Sequence, residues 1–476
     1  MQQEKAIVVG LGASGMTAVR YLVSNGWNVT ALDTRECPPN LKVLQTEFPQ
    51  VKFIGGDLDD IQLTDESLLV LSPGISPYFS AIAPLVSAAK AKEIDVVGEI
   101  ELFARHLAKL KEETGYAPKV IGITGTNGKT TTTMLSSHIV GESGHSVCFA
   151  GNVGPNALAE VTRLEKEQKL PDYWVLELSS FQLETTSSLR CDAAALLNVT
   201  EDHLDWHGSM AAYAAAKAKI FSEDTIRVLN REDAVSISFA QAVNPALVRT
   251  FGLNAPENKG DFGVEQVGAF PWLSYVDEDG EDFNIVPANS LLIRGNHNKA
   301  NALAAAALTL STGIELSDLQ KALLTYRGEP HRVQTVLTSR DIEYIDDSKG
   351  TNVGATAAAL EGFEGRKVVI ILGGDGKGQD FTPLKKPIQE HCRAVVLIGR
   401  DAPQIEEVLA DVDIPKIHAK DMKGAVTACR QNAREGDVIL LSPACASWDM
   451  FRDYADRSQQ FIDCAKQIAE DEGTLC

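Results

Sequence analysis

A chain of 476 residues with 44% hydrophobic content exceeds what one ordinary core accommodates, and its length predicts about three domains. The formal charge of −21 and the pI near 4.9 argue against a nucleic-acid or membrane-binding surface, because the net field repels phosphate. Any anionic substrate must therefore be held by local donors.

Eight cysteines (Cys37, Cys148, Cys191, Cys392, Cys429, Cys445, Cys464 and Cys476) form no CxxC pair and no regular spacing, as expected in a reducing cytosol. The opening MQQEKAIVVG passes directly into a strand without a charged leader, and no later run approaches the roughly 20 apolar residues of a membrane span. A soluble cytoplasmic protein is expected, with no nucleic-acid partner and no membrane insertion.

In chain order, KAIVVG, WNVTALD, VKFIGG, SLLVLSPG and EIDVVG are short apolar runs separated by helix-like segments such as residues 14–25. Strands buried on both faces have this appearance, so a doubly wound parallel α/β domain is predicted. The polar stretch LKEETGYAPK, ending at Pro118, places the first boundary near residue 112. KVIGIT, SVCFAGNVG, YWVLELSS and CDAAALLNVT, each followed by a helical pattern, predict a second α/β domain. Between about residues 225 and 293 the strands shorten, and WLSYVDEDGEDFNIV sets Asp279-Gly280 between two alternating runs, a hairpin signal. The helix NKANALAAAALTLSTG closes this domain. Gly328 and Pro330 mark the second boundary, after which IEYIDD, KVVIILGG, AVVLIG and DVILLSPA predict a third α/β set. The expected architecture is three α/β domains, 1–112, 113–328 and 329–476, the central one with a small β subregion.

VVGLGASG carries Gly10, Gly12 and Gly15 in GxGxxG spacing after a strand, with Asp33 about 20 residues on. Taken locally this is a dinucleotide site. The glycines, however, only let backbone approach an anion at a helix N-terminus, and a nucleotide-sugar diphosphate satisfies that as well as NAD. A tight turn without ligand is the plainer alternative. LSPGISP, with Ser72, Pro73 and Gly74, adds a second loop at the same carboxyl edge, where such sheets bind ligands.

GITGTNGKTTT lacks the usual glycine five places before Gly128, where Ile123 stands, so the tight turn moves to Gly125. Backbone N–H groups and the following helix N-terminus would wrap a triphosphate, with Lys129 reaching the β/γ region and the Thr130 hydroxyl binding Mg²⁺. This loop alone leaves kinase, motor ATPase and ligase open. Glu177 in WVLELSSFQLE is either a Mg²⁺ ligand or a solvated strand end. NVTEDHLDWHG presents Asp202, His203, Asp205 and His207 after another strand, and the cluster favours function over isolated structural histidines. In YAAAKAKIF, Lys217 and Lys219 lie two apart and on different faces; by themselves they read as lysines on a solvent-facing helix.

Together these stretches resemble the Mur ligases, the ATP-dependent amino-acid-adding enzymes of bacterial peptidoglycan synthesis. GITGTNGKTTT, GNVG, LELSSFQLE, NVTEDHLDWHG, YAAAKAKIF, GNHNKANALAA, PHR and LGGDGKG occur in that family's order and approximate spacing over nearly the whole chain. The family's phosphate loop has the shortened GTNGK form. DDSKGTN at 346–352 and SPACASWDMF at 442–451 resemble the branch that adds D-glutamate.

The resemblance implies a Rossmann-like N-terminal domain for a uridine nucleotide-sugar, a central P-loop ATPase domain and a Rossmann-like C-terminal domain for the amino acid. It implies that UDP-N-acetylmuramoyl-L-alanine meets Gly12, Ser14, Gly15, Asp33, Thr34, Arg35, Ser72, Gly74 and Asn152. ATP would meet Gly125, Thr126, Asn127, Gly128, Lys129, Thr130, Thr131, Asn298, Asn301, Arg332 and Asp347. Two Mg²⁺ ions would be held by Thr130, Glu177, His203 and Lys217, the last as a carbamate that turns a cation into an oxygen ligand. Lys217 thereby leaves the solvent-facing reading, whereas Lys219 stays in it. D-Glutamate would meet Lys349, Thr351, Lys377, Ser447, Trp448 and Tyr454.

Catalytic roles fall to Lys129, His203 and Lys217. Trp448 and Tyr454 stand where Leu and Phe are expected, and the acidic segment 255–270 has no assigned role. The implied reaction is phosphorylation of the substrate carboxylate by ATP, then attack by the D-glutamate amine, in a monomer whose third domain closes when ATP binds. The competing readings are an NAD-dependent oxidoreductase, a P-loop kinase or motor, and another branch of the same family.

Overall fold

The computed structural model describes residues 4–474 apart from 59–60, 242 and 364; Cys476 lies outside the described residues. The described strands form three sheets within two compact units, one of residues 1–288 with 302–323 and one of residues 289–301 with 324–476.

In the first unit, β1 (Lys5–Val9), β2 (Asn28–Asp33), β3 (Lys52–Gly55), β4 (Leu68–Leu71) and β5 (Asp95–Val97) form a parallel sheet in the order β3-β2-β1-β4-β5. Alternate residues of β1 enter different cores: Ala6 and Val8 pack on one face, Ile7 and Val9 on the other. That two-sided burial is why these strands read as unbroken apolar runs.

The second sheet of this unit contains β6 (Lys119–Thr124), β7 (Val147–Gly151), β8 (Tyr173–Glu177), β9 (Ala193–Leu196), β10 (Ile226–Asn230), β11 (Val248–Phe251), β12 (Asp261–Val267), β13 (Phe270–Val276) and β14 (Asp282–Pro287). Their order is β14-β13-β12-β11-β10-β9-β6-β8-β7, antiparallel only at β12-β13 and β13-β14. β6 lies between β8 and β9, so the loops leaving the carboxyl ends of these three strands converge, the place where open α/β sheets bind ligands.

The predicted hairpin is present. Gly280 has φ +93°, and the Asp277 carboxylate accepts the N–H groups of Asp279, Gly280 and Glu281. The acidic segment 255–270 supplies β12, where the Asp261 carboxylate accepts from Thr250 and from the Glu257 and Asn258 N–H groups. Phe262, Tyr275 and Phe283 stack across the meander at 5.0 and 5.3 Å, which gives the segment a structural role.

These first two sheets share one unit because the helix Glu99–Thr114 is stitched to both. Glu99 accepts the Leu158 N–H at 2.7 Å, and Glu101 accepts those of Ser187 and Ser188 at 2.8 Å. His106 meets Glu165 at 2.9 Å.

In the second unit, β15 (Gln334–Ser339), β16 (Ile342–Asp346), β17 (Val368–Gly373), β18 (Cys392–Ile398), β19 (Lys416–His418) and β20 (Val438–Leu441) form the order β15-β16-β20-β17-β18-β19, antiparallel only at β15-β16. Val368, Ile370 and Leu372 face one core, Val369 and Ile371 the other. Each such fully buried side chain is worth about 1.5–3 kcal/mol relative to exposure. No helix among the described residues is long and apolar enough to cross a membrane.

Candidate functional site

Ile123 is a buried strand residue paired with Glu177, and the turn follows it: Gly125 has φ +152° and Gly128, capping the helix Lys129–Glu142, has φ +83°. The loop is held from the next strand end. Thr126 N donates to Asn198 O at 2.9 Å, and Asn127 N donates to Asn198 Oδ1 at 2.8 Å. The Thr126 hydroxyl reaches Thr200 O and Tyr213 OH, each at 3.2 Å. Lys129 folds over the loop, its Nζ donating to Gly125 O and Thr126 O at 2.9 Å. Thr130 and Thr131 are buried in the first turn. Backbone donors at a helix N-terminus, with a lysine above them, make an anion cradle.

Lys217 is 1% exposed, which corrects the solvent-facing reading of its helix. Its Nζ donates to Gly125 O at 2.8 Å and lies 4.5 Å from the centre of the Tyr213 ring. Burial, reinforced by Lys129, pushes its pKa well below the ordinary lysine value. Lys219 is outside, paired with Glu184 at 2.9 Å, as the two-residue offset predicts.

Glu177 is also 1% exposed and not a solvated strand end. Its Oε1 accepts from Asn152 Nδ2 at 2.9 Å, while Oε2 is buried without a hydrogen-bond partner. His203 precedes the short helix Leu204–His207 in a left-handed conformation, φ +54°, with Phe181 edge-on at 4.7 Å. Burial lowers its pKa against the opposing pull of Asp202, and Lys129 and Lys217 add to the lowering. His207 is a core histidine: it meets Ser180 Oγ at 2.9 Å, and burial takes its pKa down to about 4.

No group of three or more His, Cys, Asp or Glu side chains able to hold a metal occurs among the described residues. The oxygen donors Thr130 and Glu177, with the orphaned Oε2, suit a hard cation whose remaining ligands are phosphate oxygens or water; imidazole is the less natural donor.

At the first glycine loop Gly10 has φ +89°, and a Cβ on Gly15 would sit 1.8 Å from Gly10 O. Ser72 Oγ donates to the same carbonyl at 2.8 Å. Asp33 is buried at the end of β2 and accepts Leu11 N at 2.8 Å, Arg35 N at 3.0 Å, and Arg35 Nε and Nη2 at 2.8 Å. Burial alone would raise its pKa, but Arg35 and the backbone donors outweigh it and hold the carboxyl below its ordinary range. Gly12, Ser14, Thr34 and Gly74 complete this carboxyl edge. Asn152 is placed elsewhere, beside Glu177 in the central sheet.

In the second unit, Asn298 Nδ2 donates to Arg294 O at 2.8 Å and Asn301 Nδ2 to Asn298 Oδ1 at 3.1 Å. Burial pushes Asp347 up to about 7, against the Ser442 hydroxyl at 2.6 Å and the charge of Arg332. Lys349 Nζ lies 5.4 Å from the Tyr454 ring centre, and Ser348 Oγ donates to Tyr454 O at 2.8 Å. Lys377 has φ +52° in the loop after β17; that loop is bonded to the 442–451 segment by Ala446 N to Asp375 O at 2.8 Å, and the same segment is bonded to Gly350, beside Thr351, by Ala444 N to Gly350 O at 3.0 Å. Ser447 is buried with its Oγ unpartnered, whereas Trp448 stands apart at 81% exposed.

Sequence reasoning missed Arg457. Fully buried, it donates to Ser348 Oγ at 2.9 Å, Ser348 O at 2.7 Å and Cys445 O at 3.0 Å, tying DDSKGTN to SPACASWDMF. The signal was an arginine at four-residue spacing from the buried Phe461, Ala465 and Ala469 of one helix.

A family model of the Mur ligase MurD-like N-terminal domain matches residues 4–98, the Mur ligase middle domain matches 123–309, and the Mur ligase glutamate ligase domain matches 331–445. The chain belongs to the Mur ligase family, whose members named here are ligases. Within it, a UDP-N-acetylmuramoylalanine--D-glutamate ligase of Ralstonia nicotianae is 47% identical, covering 98% of each chain. One of Burkholderia ambifaria is 48% identical over 99% of this chain and 98% of its own. Among solved structures, UDP-N-acetylmuramate-alanine ligase MurC from Thermotoga maritima shares the fold at 21% identity and TM-score 0.57, covering 98% of this chain and 100% of that one. MurF ligase from Thermotoga maritima in complex with ADP does so at 16% identity and TM-score 0.58, covering 99% and 96%.

Proposed function

We propose that this chain joins the amine of D-glutamate to the terminal carboxylate of UDP-N-acetylmuramoyl-L-alanine, converting ATP to ADP and phosphate, as a cytoplasmic monomer in peptidoglycan precursor synthesis. The chemistry rests on one observation above the others: a buried Lys217 amine on the carbonyl of Gly125 in the phosphate loop. The choice of amino acid is supported by whole-length likeness to the D-glutamate ligases. Residues 1–112 would take the UDP-substrate, 113–328 ATP and 329–476 D-glutamate.

A carboxylate is a poor electrophile and repels the γ-phosphate, so cations must lie between them. The Lys129 ammonium, now on two carbonyls, would exchange them for phosphate oxygens, a stronger charge-assisted pairing. The N–H groups from Gly128 to Thr131 would orient the triphosphate, with Gly125, Thr126 and Asn127 shaping the loop around it, and Asn298, Asn301, Arg332 and Asp347 the rest of the nucleotide. Lys217, deprived of solvent and with its pKa lowered, is shifted toward the neutral amine, the form that adds to CO₂: an N–C bond forms, a proton leaves to solvent, and an anionic oxygen donor results. Bound Mg²⁺, for which Thr130, Glu177, His203 and that carbamate are the proposed ligands, supplies charge neutralisation between the two anions.

Phosphate transfer gives an acyl phosphate of the substrate; the D-glutamate amine then attacks the carbonyl carbon, the C–N bond forms and phosphate departs. Gly12, Ser14, Gly15, Asp33, Thr34, Arg35, Ser72 and Gly74 would hold the UDP-sugar, and Asn152 its acyl arm. Lys349 and Lys377 would pair with D-glutamate carboxylates alongside Thr351, Tyr454, Trp448 and the unpartnered Ser447 hydroxyl. The test is ADP release with UDP-N-acetylmuramoyl-L-alanine and D-glutamate, L-alanine or meso-diaminopimelate in turn. Dependence on D-glutamate is expected, and turnover with either of the others in its place overturns the assignment.

A further inference from the structure

The loop after β4 begins at Ser72 and Gly74 and continues across to the central sheet, where it makes two anchors. Ser76 is 5% exposed, and its hydroxyl is fully engaged. It donates to Trp206 O at 2.9 Å and accepts the N–H groups of Tyr78 at 3.3 Å and Phe79 at 3.2 Å. Trp206 belongs to the one-turn helix that His203 begins. Phe79 closes on the other end of that turn, where a Cβ on Gly208 would lie 2.7 Å from the Phe79 ring.

The second anchor is Tyr78, whose hydroxyl donates to Glu184 Oε1 at 2.7 Å. Glu184 in turn holds Lys219, through its carboxylate at 2.9 Å and its backbone carbonyl at 2.8 Å. Lys219 directly follows the helix Met210–Ala218 that carries Lys217. Glu184 also ends the short helix on which Phe181 packs against His203. One loop thus grips the His203 turn through a backbone carbonyl and the Lys217 helix through a carboxylate–lysine pair. Burial and Glu184 push the Tyr78 hydroxyl up to about 12, so it remains a donor at neutral pH.

Taking the ligase chemistry above as given, we propose that Ser76 and Tyr78 are positioning residues that couple nucleotide-sugar binding at the Ser72–Gly74 turn to the placement of His203 and Lys217. Neither needs to touch a ligand. A substrate that orders the turn orders both anchors, and the two ligands then share a coupling free energy.

The test uses the full chain as wild type, Ser76→Ala, Ser76→Thr and Tyr78→Phe. ATP affinity is measured with and without UDP-N-acetylmuramoyl-L-alanine, together with melting temperature, kcat and KM. In Ser76→Ala and Tyr78→Phe, the factor by which the UDP-substrate alters ATP affinity falls about fivefold or more, and kcat falls with it. ATP affinity without substrate stays at the wild-type value in both; Tyr78→Phe, whose side chain is half exposed, keeps the wild-type melting temperature, Ser76→Ala melts lower because two N–H groups lose their acceptor, and Ser76→Thr restores the coupling. Wild-type coupling in both variants overturns the proposal, as does a loss that tracks melting temperature. The affinity measurement needs no turnover, so it still reads the coupling even if D-glutamate supports no ADP release, the outcome that would sink the ligase assignment alone.

Discussion

At Gly10–Gly15 and again at Gly125–Gly128, a strand ends in a glycine of positive φ and a helix begins within a few residues. The backbone device is shared, yet the charged groups beside it are in opposite states. Asp33, beside the first loop, accepts four hydrogen bonds, and its charged form is favoured. Lys217, beside the second, has one carbonyl and a ring face, and its charged form is disfavoured. A paired charge stabilises the turn it sits on. A buried titratable group whose charged form is disfavoured is the condition in which a site does chemistry. By this comparison the first loop is a binding scaffold and the second the reactive centre.

Three substitutions test that division by kinetics. Lys129→Ala is expected to lower kcat of ADP release about 1000-fold while leaving UDP-substrate affinity intact. Lys217→Ala should lose about 100-fold, with part recovered by bicarbonate or acetate, either of which returns an anion to the vacated space. A Lys217→Ala variant that is active and indifferent to both additives would make Lys217 structural and erase the contrast. Arg35→Ala is expected to raise KM for the UDP-substrate about tenfold at nearly constant kcat, the signature of lost uniform binding. Should Arg35→Ala lower kcat as strongly as Lys217→Ala, the first loop would belong to the reactive centre.

What was legible in the sequence follows from how local each cause is. β1, β6, β17 and β20 were readable because burial on both faces demands continuous apolar residues, and the Asp279-Gly280 turn because only a few residue types accept its backbone. The edge strands β15 and β19 were not named: QTVLTS alternates with polar residues and KIH is three residues long. The pattern around Lys217 was there but pulled two ways: Tyr213 and Phe221 stand four residues before and after it, the spacing of an inward face, while lysine is a residue type that seldom occupies one. Its burial is decided by Gly125, 92 residues away. Glu177 is interior, its carboxylate held by Asn152 from the loop after β7, 25 residues away, again a tertiary fact. Arg457 was within reach, since it breaks the apolar stripe of its own helix.

The smallest expected effect on turnover, and the sharpest on the scaffold, is Asp33→Asn. An amide oxygen can still accept from Leu11 N–H and Arg35 Nη2, but its NH₂ group then faces the Arg35 N and Nε donors, and the ion pair is lost. Losing hydrogen bonds to a charged group costs about 1.5–3 kcal/mol of stability. The pH dependence follows from the sign of the shift. Because folding lowers the Asp33 pKa, its stabilisation is complete above the unfolded carboxylate pKa of about 3.9 and disappears as pH falls through the lower folded value. Denaturant melts of wild type and Asp33→Asn should therefore differ by a constant amount near neutral pH and converge in acid, while kcat at saturating substrate stays unchanged. A stability gap that widens on acidification would mean that the Asp33 charge is not what the fold uses, and a fall in kcat would move Asp33 into the chemistry.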